Sequence, residues 1–504
     1  MSSLTTSRAS GNHPTASPQL PVELPTELPP NAGRAAAGIA IVLVAQLMIV
    51  LDATVVNVAL PRIDADLSFG PAALSWVLNA YTLAFGGLLL LGGRLGDVFG
   101  RLRAFQVGLA IFTVASALGG FAQTPGQLVA TRALQGVGAA LAAPSVLALL
   151  TTSAPDEAAR NRAFALFGAV SSGGASIGLI LGGLLTDVGT WRWTLFINVP
   201  LGLLVLLLVG RFVDETPRRS GRFDLVGAAS ATVGAVSLVW ALIGAPEHGW
   251  GSLRTVGGFV LGAALLLLLA RTEARHPHPM VQPHLVRSRR RVGALAAMAL
   301  IIGANLSMFF LVVQYIQLVL GFGPLATGIA FLPFSLGIFA MSRFTPWLIA
   351  RVGPRAMLLT ATSALLVGYA WLSGAGTDGT YLGTVFGPML IAGLATGLAF
   401  MPITATVLAG VEHEHAGSAS GLLQTTQQLG SAVGVAVIVS VYAAGAVPGQ
   451  FVPGLQAALL TSAGFAALAL LVTATVLRTP RAEVEPLATE PDPEPDPELV
   501  AEAA

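Results

Sequence analysis

The sequence predicts an all-α integral membrane protein with fourteen transmembrane helices, and three observations lead there. Of 504 residues, 54% are hydrophobic and only 10% charged, with a mean hydropathy of +0.77; a soluble domain carries about 25% charged residues. Apolar runs of about 20 residues with few or no charges, the length that crosses a bilayer core of about 30 Å at about 1.5 Å per residue, occur fourteen times. Finally, with both termini on one side, the loops and tails of that side hold 22 of the 26 arginines. The other side holds Arg62, Arg192 and Arg254, and Arg132 falls inside a span. Arginine-rich loops stay in the cytoplasm, so both termini are expected there and the number of spans is even.

The spans follow one another near residues 36–60, 72–92, 104–122, 126–150, 162–186, 192–211, 224–244, 253–270, 293–318, 326–346, 356–373, 381–409, 417–440 and 457–477. Before them, residues 1–34 are rich in Ser, Thr and Pro and read as a disordered cytoplasmic tail. The first apolar segment, from about Ala35 to Leu60, exceeds the roughly 7 to 15 residues of a signal-peptide core, so no cleavable signal is expected. Both members of the pair near 224–270 are too apolar to lie in water. After the last span, residues 478–504 form an acidic, Pro-punctuated cytoplasmic tail. A net charge of +1 with no basic patch excludes nucleic acid as a partner, and the absence of cysteine excludes disulfides and thiolate chemistry. The 26 basic residues are all arginine, which with abundant Ala and Gly points to a GC-rich bacterial genome and hence to the bacterial inner membrane.

An internal echo divides the chain. "GRLGDVFGRLR" (93–103) follows the second span and "PWLIARVGPR" (346–355) follows the tenth; at a constant offset of 253, Leu95 meets Leu348 and Gly100 meets Gly353, while Asp97 meets Ala350. The expected organisation is a six-helix half over 35–211, two inserted helices with linkers over 212–292, and a second six-helix half over 293–477.

Asp52, in "LDATVVNVALPRI", lies about eight residues below the outer end of the first span, where a carboxylate costs roughly 2.5 to 3.5 kcal/mol on insertion scales. Its candidate partner is Arg132 in "RALQGVGAALAAPS", about six residues below the outer end of the fourth span. These depths are about 12 Å and 9 Å, so the two meet if their helices are neighbours. An acid so placed can alternate between ionised and protonated forms, which makes the pair a candidate for proton coupling; a static structural pair is the plainer reading. Gln135 shares the face of Arg132 one turn on and can orient it.

Within "GRLGDVFGRLR", Arg94, Asp97 and Arg101 read either as a charge latch at the inner face or as a topology signal. Gly96 and Gly100 suggest a turn between them. Gly174, Gly178 and Gly182 recur every four residues in the fifth span, a spacing that lets helices approach closely. Trp191 and Trp193 stand at the outer interface as an ordinary aromatic belt. Polar residues at helical spacing are Ser75, Asn79 and Thr82; Ser307, Gln314 and Gln317, with Phe310; and Gln424, Gln427, Gln428 and Ser431. They line a cavity or a helix interface, and Asn79, Gln135, Phe310, Gln314, Gln317, Gln424 and Gln428 are the candidates for contact with a substrate. Glu412, His413, Glu414 and His415 suggest a metal, but their place in an inner loop favours a solvated linker, so no metal site is expected. There is no HExxH, phosphate loop or nucleophile elbow, which argues against an enzyme and against self-contained ATP-driven transport.

Taken together, "LDATVVNVALP", "GRLGDVFGRLR", "RALQGVGAALAAP" and "GLILGGLLTDVGTWRWTLFINVPLG" resemble the successive signature motifs of the major facilitator superfamily, in its fourteen-span drug:proton antiporter family. The likeness runs from about residue 36 to 477, and "GLATGLAFMPITATVLAG" and "AGSASGLLQTTQQLGSAVGVAV" share it. The resemblance implies two six-helix halves rocking about a central cavity. It implies proton coupling by Asp52 and Arg132, a conformational switch at Arg94, Asp97 and Arg101, and an antiporter motif at Gly174, Gly178, Gly182 and Gly183. There the chain departs from the family, which commonly has Gly-Pro where Gly178 is followed by Leu179; the loss of proline removes an expected kink.

The expectation is therefore an exporter of small hydrophobic drugs or antibiotics, driven by the proton gradient without a cofactor. Asp52 is the one acid found for the cavity, which favours neutral or weakly charged substrates. The alternatives are a transporter of a native metabolite on the same fold and a non-transporting membrane sensor.

Overall fold

In the computed structural model, residues 32–216, 218, 225–275, 283–411, 416–447 and 450–477 are described. The two tails and the Glu412–His415 cluster lie outside them, except that the first helix begins at Ala32, so Ala32, Gly33 and Arg34 belong to it rather than to a tail. Apart from one isolated bridge between Val447 and Gln450, the described residues are helical or in connections.

Among the described residues, thirteen helices are long and apolar enough to cross a membrane, and one of these, Pro324–Leu372, contains two crossings because Gly353 breaks it at φ 78°, ψ 159°. Fourteen spans result. The first half comprises α1 (Ala32–Leu67), α2 (Trp76–Phe99), α3 (Arg101–Gly120), α4 (Pro125–Ser153), α5 (Glu157–Val188) and α6 (Asn198–Phe212). The inserted pair is α7 (Leu225–His248) and α8 (Leu253–Arg275). Next come α9 (Arg289–Leu318), α10 (332–352), α11 (354–372), α12 (Gly387–Leu408), α13 (Ala416–Ala444) and α14 (Val452–Val476). The short helix Pro324–Ala330 leads into α10.

Backbone groups inside a bilayer have no water to bond, so helices are the solution for each run, and only their ends need separate partners. Thr124 caps α4 by accepting from Gln127 N at 3.3 Å, ahead of Pro125 at the first helical position. Asp156 caps α5 by accepting from Ala159 N at 2.7 Å, and Ser288 caps α9 by accepting from Arg291 N at 3.3 Å. Between α2 and α3 the chain turns at Gly100, φ 107°, ψ 137°, which glycine adopts without a Cβ penalty. The counterpart at an offset of 253, Gly353, has the same left-handed break between α10 and α11. Gly96, by contrast, stays inside α2, so the turn expected there falls at Gly100 alone.

α5 lies against α1 with almost no side chain between them. A Cβ on Gly178 would meet Thr54 Oγ1 at 2.0 Å, and one on Gly182 would meet Val55 O at 2.4 Å; Gly174 faces Val50 and Leu47. The halves meet at the ends bearing the arginine-poor loops. Gln317 Nε2 donates to Val58 O at 2.9 Å, a Cβ on Gly183 would lie 2.5 Å from Pro324 O, and one on Gly328 would lie 2.4 Å from Leu179 O. Leu179 is thus buried between the halves, where the expected motif has proline. At the arginine-rich ends, residues 157–169 of α5 and 339–352 of α10 are largely exposed. The halves also touch along α2 and α13, where Gly86 faces Gln428 and Gly421 faces Leu90. On this seam sits α7, with Thr232 against Gly87 of α2 and Leu242 O accepting from Ser440 Oγ of α13, while α8 packs on α7.

Candidate proton-linked site and its setting

Asp52 and Arg132 meet. Arg132 Nη1 donates to Asp52 Oδ2 at 2.6 Å, and both side chains are within 1% of complete burial. Two amides complete the carboxylate: Gln135 Nε2 donates to Oδ1 at 2.9 Å and Asn198 Nδ2 to the same atom at 2.8 Å. The arginine is equally committed. Its Nε donates to Val77 O of α2 at 3.0 Å, Nη1 also donates to Gln135 Oε1 at 2.8 Å, and its guanidinium lies 4.7 Å from the centroid of the Tyr81 ring. Gln135 Nε2 donates as well to Ser116 Oγ of α3 at 2.7 Å. Five helices, α1, α2, α3, α4 and α6, therefore converge on one buried ion pair. Such a pair survives desolvation only when its remaining lone pairs and protons are bonded, and this one has three donors on the acid and three acceptors for the base.

Gln135 orients Arg132 as its spacing suggests. Asn198 and Ser116 escaped sequence reasoning; the one signal for Asn198 is a lone polar residue in the apolar run "LFINVP". Trp191 is not a belt residue. It is 3% exposed, and its Nε1 donates to Asp66 Oδ2 at 2.8 Å, beside Arg192 Nη1 on the same oxygen at 2.6 Å. Buried indole N–H groups need an acceptor, and the carboxylate in the last turn of α1 is within reach. Trp193 is 54% exposed, as a belt residue is.

At the arginine-rich face, Asp97 and Arg101 form an ion pair at 2.6 Å across the Gly100 turn, and Arg101 Nη1 donates to Pro144 O of α4 at 3.2 Å. Arg94 makes no hydrogen bond or ion pair among the described residues. A residue outside the expected latch completes the turn. Glu215 accepts from Leu102 N at 2.8 Å and Arg103 N at 3.1 Å, and Thr216 Oγ1 accepts from Arg101 N at 3.2 Å. A carboxylate on the unpaired N–H groups at a helix start is favoured by both hydrogen bonding and the helix dipole.

The candidate substrate contacts fall into different settings. Asn79 is fully buried, and neither atom of its amide has a partner. Phe310 and Gln314 are buried in the core, Gln314 Nε2 donating to Phe310 O at 2.9 Å. Gln317 lies between the halves, as given above. Gln424 and Gln428 are half-buried on α13, the latter against Gly86.

The second half repeats the acid's position without the acid. At the offset of 253, Asp52 corresponds to Asn305 and Ser116 to Tyr369. Tyr369 Oη donates to Asn305 Oδ1 at 2.5 Å, and Asn305 Nδ2 donates to Thr396 Oγ1 of α12 at 3.0 Å. This cluster is neutral and internally bonded.

Comparison with known proteins agrees with this architecture. The sequence profile of the Major Facilitator Superfamily matches residues 42–435. The chain is 42% identical over 407 residues to the puromycin resistance protein pur8 of Streptomyces alboniger, covering 80% of each chain. It is 38% identical over 406 residues to the cephamycin export protein CmcT of Amycolatopsis lactamdurans, covering 80% of this chain and 84% of that one. In structure it is similar to a POT family transporter in complex with a thioalcohol-conjugated peptide, with a TM-score of 0.65 at 14% identity over 88% of this chain and 97% of the other; at that identity the likeness concerns the fold alone. Extent of match and identity together make the chain a multi-pass membrane transporter, not an enzyme, belonging to the drug-efflux members of the Major Facilitator Superfamily.

Proposed function

We propose that this protein is a proton-coupled antiporter of a bacterial cytoplasmic membrane, with both termini in the cytoplasm, that exports small hydrophobic drugs or antibiotics by alternating access. The observation that carries the reading is the buried Asp52–Arg132 pair, held by Gln135 and Asn198 at the junction of five helices. Intramembrane carboxylates of this kind mark ion pathways. Asp52 takes up the proton, which cancels its attraction to Arg132; Arg132, fixed to α2 through Val77 O, passes the change to the helix that faces α13 across the seam. The Asp97–Arg101 pair, braced on Pro144 O, holds the arginine-rich face in one state. Contacts of Gly183, Gly328 and Gln317 at the opposite ends support a shut outer path. Asn79, with a buried amide lacking partners, supports a place for a polar atom of a substrate, since an unmade buried hydrogen bond costs about 1 to 3 kcal/mol. The proton gradient supplies the energy and no cofactor takes part. Of the two buried acids among the described residues, Asp52 lies within the helical junction and Glu273 only near the C-terminal end of α8, which favours neutral or weakly charged substrates.

Two relatives named for single antibiotics favour a second reading, export of one native metabolite by the same cycle; competition among compounds for binding separates it from broad efflux. The test of the main reading is gradient-dependent efflux of antibiotics and dyes from cells expressing the wild type or Asp52→Asn. Efflux that stops with an uncoupler and in the variant is expected. Robust efflux indifferent to Asp52 would place coupling elsewhere.

A further inference from the structure

Uptake of a proton by Asp52 turns an acceptor into a donor, and the new O–H needs a buried acceptor of its own. Of the three side chains bonded to the carboxylate, Arg132 has donors only. Gln135 already uses both ends: its Oε1 accepts from Arg132, and its Nε2, which faces the carboxylate, gives its two protons to Asp52 and Ser116. Of the three, Asn198 is the one with an acceptor atom that makes no hydrogen bond. Its Nδ2 donates to Asp52 Oδ1, whereas its Oδ1 is buried without a partner, and the residue is 0% exposed.

We propose that Asn198 is a positioning residue for the proton: when Asp52 becomes neutral, the Asn198 amide turns over and its Oδ1 accepts a hydrogen bond from the new Asp52 O–H. The proton ends on Asp52 Oδ1, no covalent bond of the amide changes, and one hydrogen bond from Asn198 replaces another of opposite direction. One end of the amide is idle in each pose, so the exchange is close to balanced. The oxygen and nitrogen ends of an amide have nearly the same shape, which lets the turn occur without repacking. As a result the tie between α1 and α6 outlasts the proton's arrival, and the contact that loses its charge is the one to Arg132 on α4. The height of Asn198 is set by α1 itself, because Trp191 and Arg192, just before α6, are fastened to Asp66 at the end of α1. The charged and titratable groups near Asp52 are Arg132 from α4 and Tyr81 from α2, whose Oη is buried without a partner; α5 presents Gly174, Gly178 and Gly182 to α1.

This inference rests on the reading of Asp52 as the proton site, and infrared difference spectra of the lipid-reconstituted protein between alkaline and acidic pH separate the two. Asparagine labelled with 13C at its side-chain carbonyl identifies the amide. The expected result is a carboxylic-acid C=O band absent from Asp52→Asn, together with a labelled amide band that moves to lower frequency on acidification and is missing in Asn198→Leu. Efflux should fall roughly tenfold in Asn198→Leu, the worth of one hydrogen bond, and return to within about twofold of wild type in Asn198→Ser, whose hydroxyl both donates and accepts. An Asp52 band with no amide response overturns the role of Asn198, as does a tyrosine response lost in Tyr81→Phe in place of the amide one. No Asp52 band at any pH overturns the proton site itself. If Asn198→Leu does not fold, the labelled wild type still decides.

Discussion

Adding one methyl group to Gly183 should move the transporter from one state to the other. Its Cβ would lie 2.5 Å from Pro324 O and 2.8 Å from Leu325 Cα, atoms of the other half. Nonbonded contacts of this kind settle near about 3.5 Å, so Gly183→Ala is short by roughly 1 Å and must part the halves at that end. Overpacking of a close contact costs about 1 to 3 kcal/mol. Because the contact exists only while those ends are together, the cost falls on that state alone and shifts the equilibrium about 5- to 150-fold toward the state open there. The gain of Ala over Gly in a helix, about 1 kcal/mol, applies to both states and cancels in their ratio.

The natural chain has no cysteine, so a single Val58→Cys, fully buried in the closed contact, reports opening through its rate of labelling by an impermeant maleimide. Gly182→Ala supplies the control: its Cβ would lie 2.4 Å from Val55 O within the same half, so it should lower thermal stability without changing the labelling rate. Labelling of Gly183→Ala within twofold of the parent, or equal acceleration by Gly182→Ala, would refute the argument that this contact belongs to one state.

Two further outcomes follow from the site. Asp52→Asn leaves the Arg132 charge buried without its partner and should cost about 3 to 5 kcal/mol in thermal or chemical unfolding of the lipid-reconstituted protein, whereas Asp52→Asn with Arg132→Met should recover most of that loss. Additive losses would mean that the pair contributes no coupling energy. Glu215→Ala removes the acceptor for Leu102 N and Arg103 N and should cost about 0.5 to 2 kcal/mol locally, read as roughly 2- to 30-fold faster hydrogen exchange in the first turn of α3 and none in α11.

The number of spans, the repeat and the two ion pairs were legible because each depends on local quantities. Fourteen runs are countable since a bilayer forces every backbone group into its own helix, and a run of about 20 residues has one outcome. Asp97 and Arg101 are four residues apart, and they pair even across the Gly100 turn. Asp52 and Arg132 were matched by depth, because charges in a membrane are few enough that one acid and one base at similar height have little other choice.

Apart from Gln135, one turn from Arg132, the amides and hydroxyls gave no such signal. They are affordable in many places, and their partners depend on which helices are neighbours and how each is rotated about its axis. Asn198 finds Asp52 over 146 residues; the same dependence holds for the indole of Trp191, which finds Asp66 over 125, and for the Glu215 carboxylate, which finds Leu102 N over 113. Likewise, the offset of 253 already aligned Gly100 with Gly353, yet the packing of α9, α11 and α12 was needed to show that Asn305, Tyr369 and Thr396 close a neutral counterpart of the acidic site. The sequence by itself determined what must lie in the membrane and where its charges stand. Only tertiary structure decided which neutral groups complete them, because a hydrogen bond between helices is fixed by rotation and proximity that no local pattern encodes.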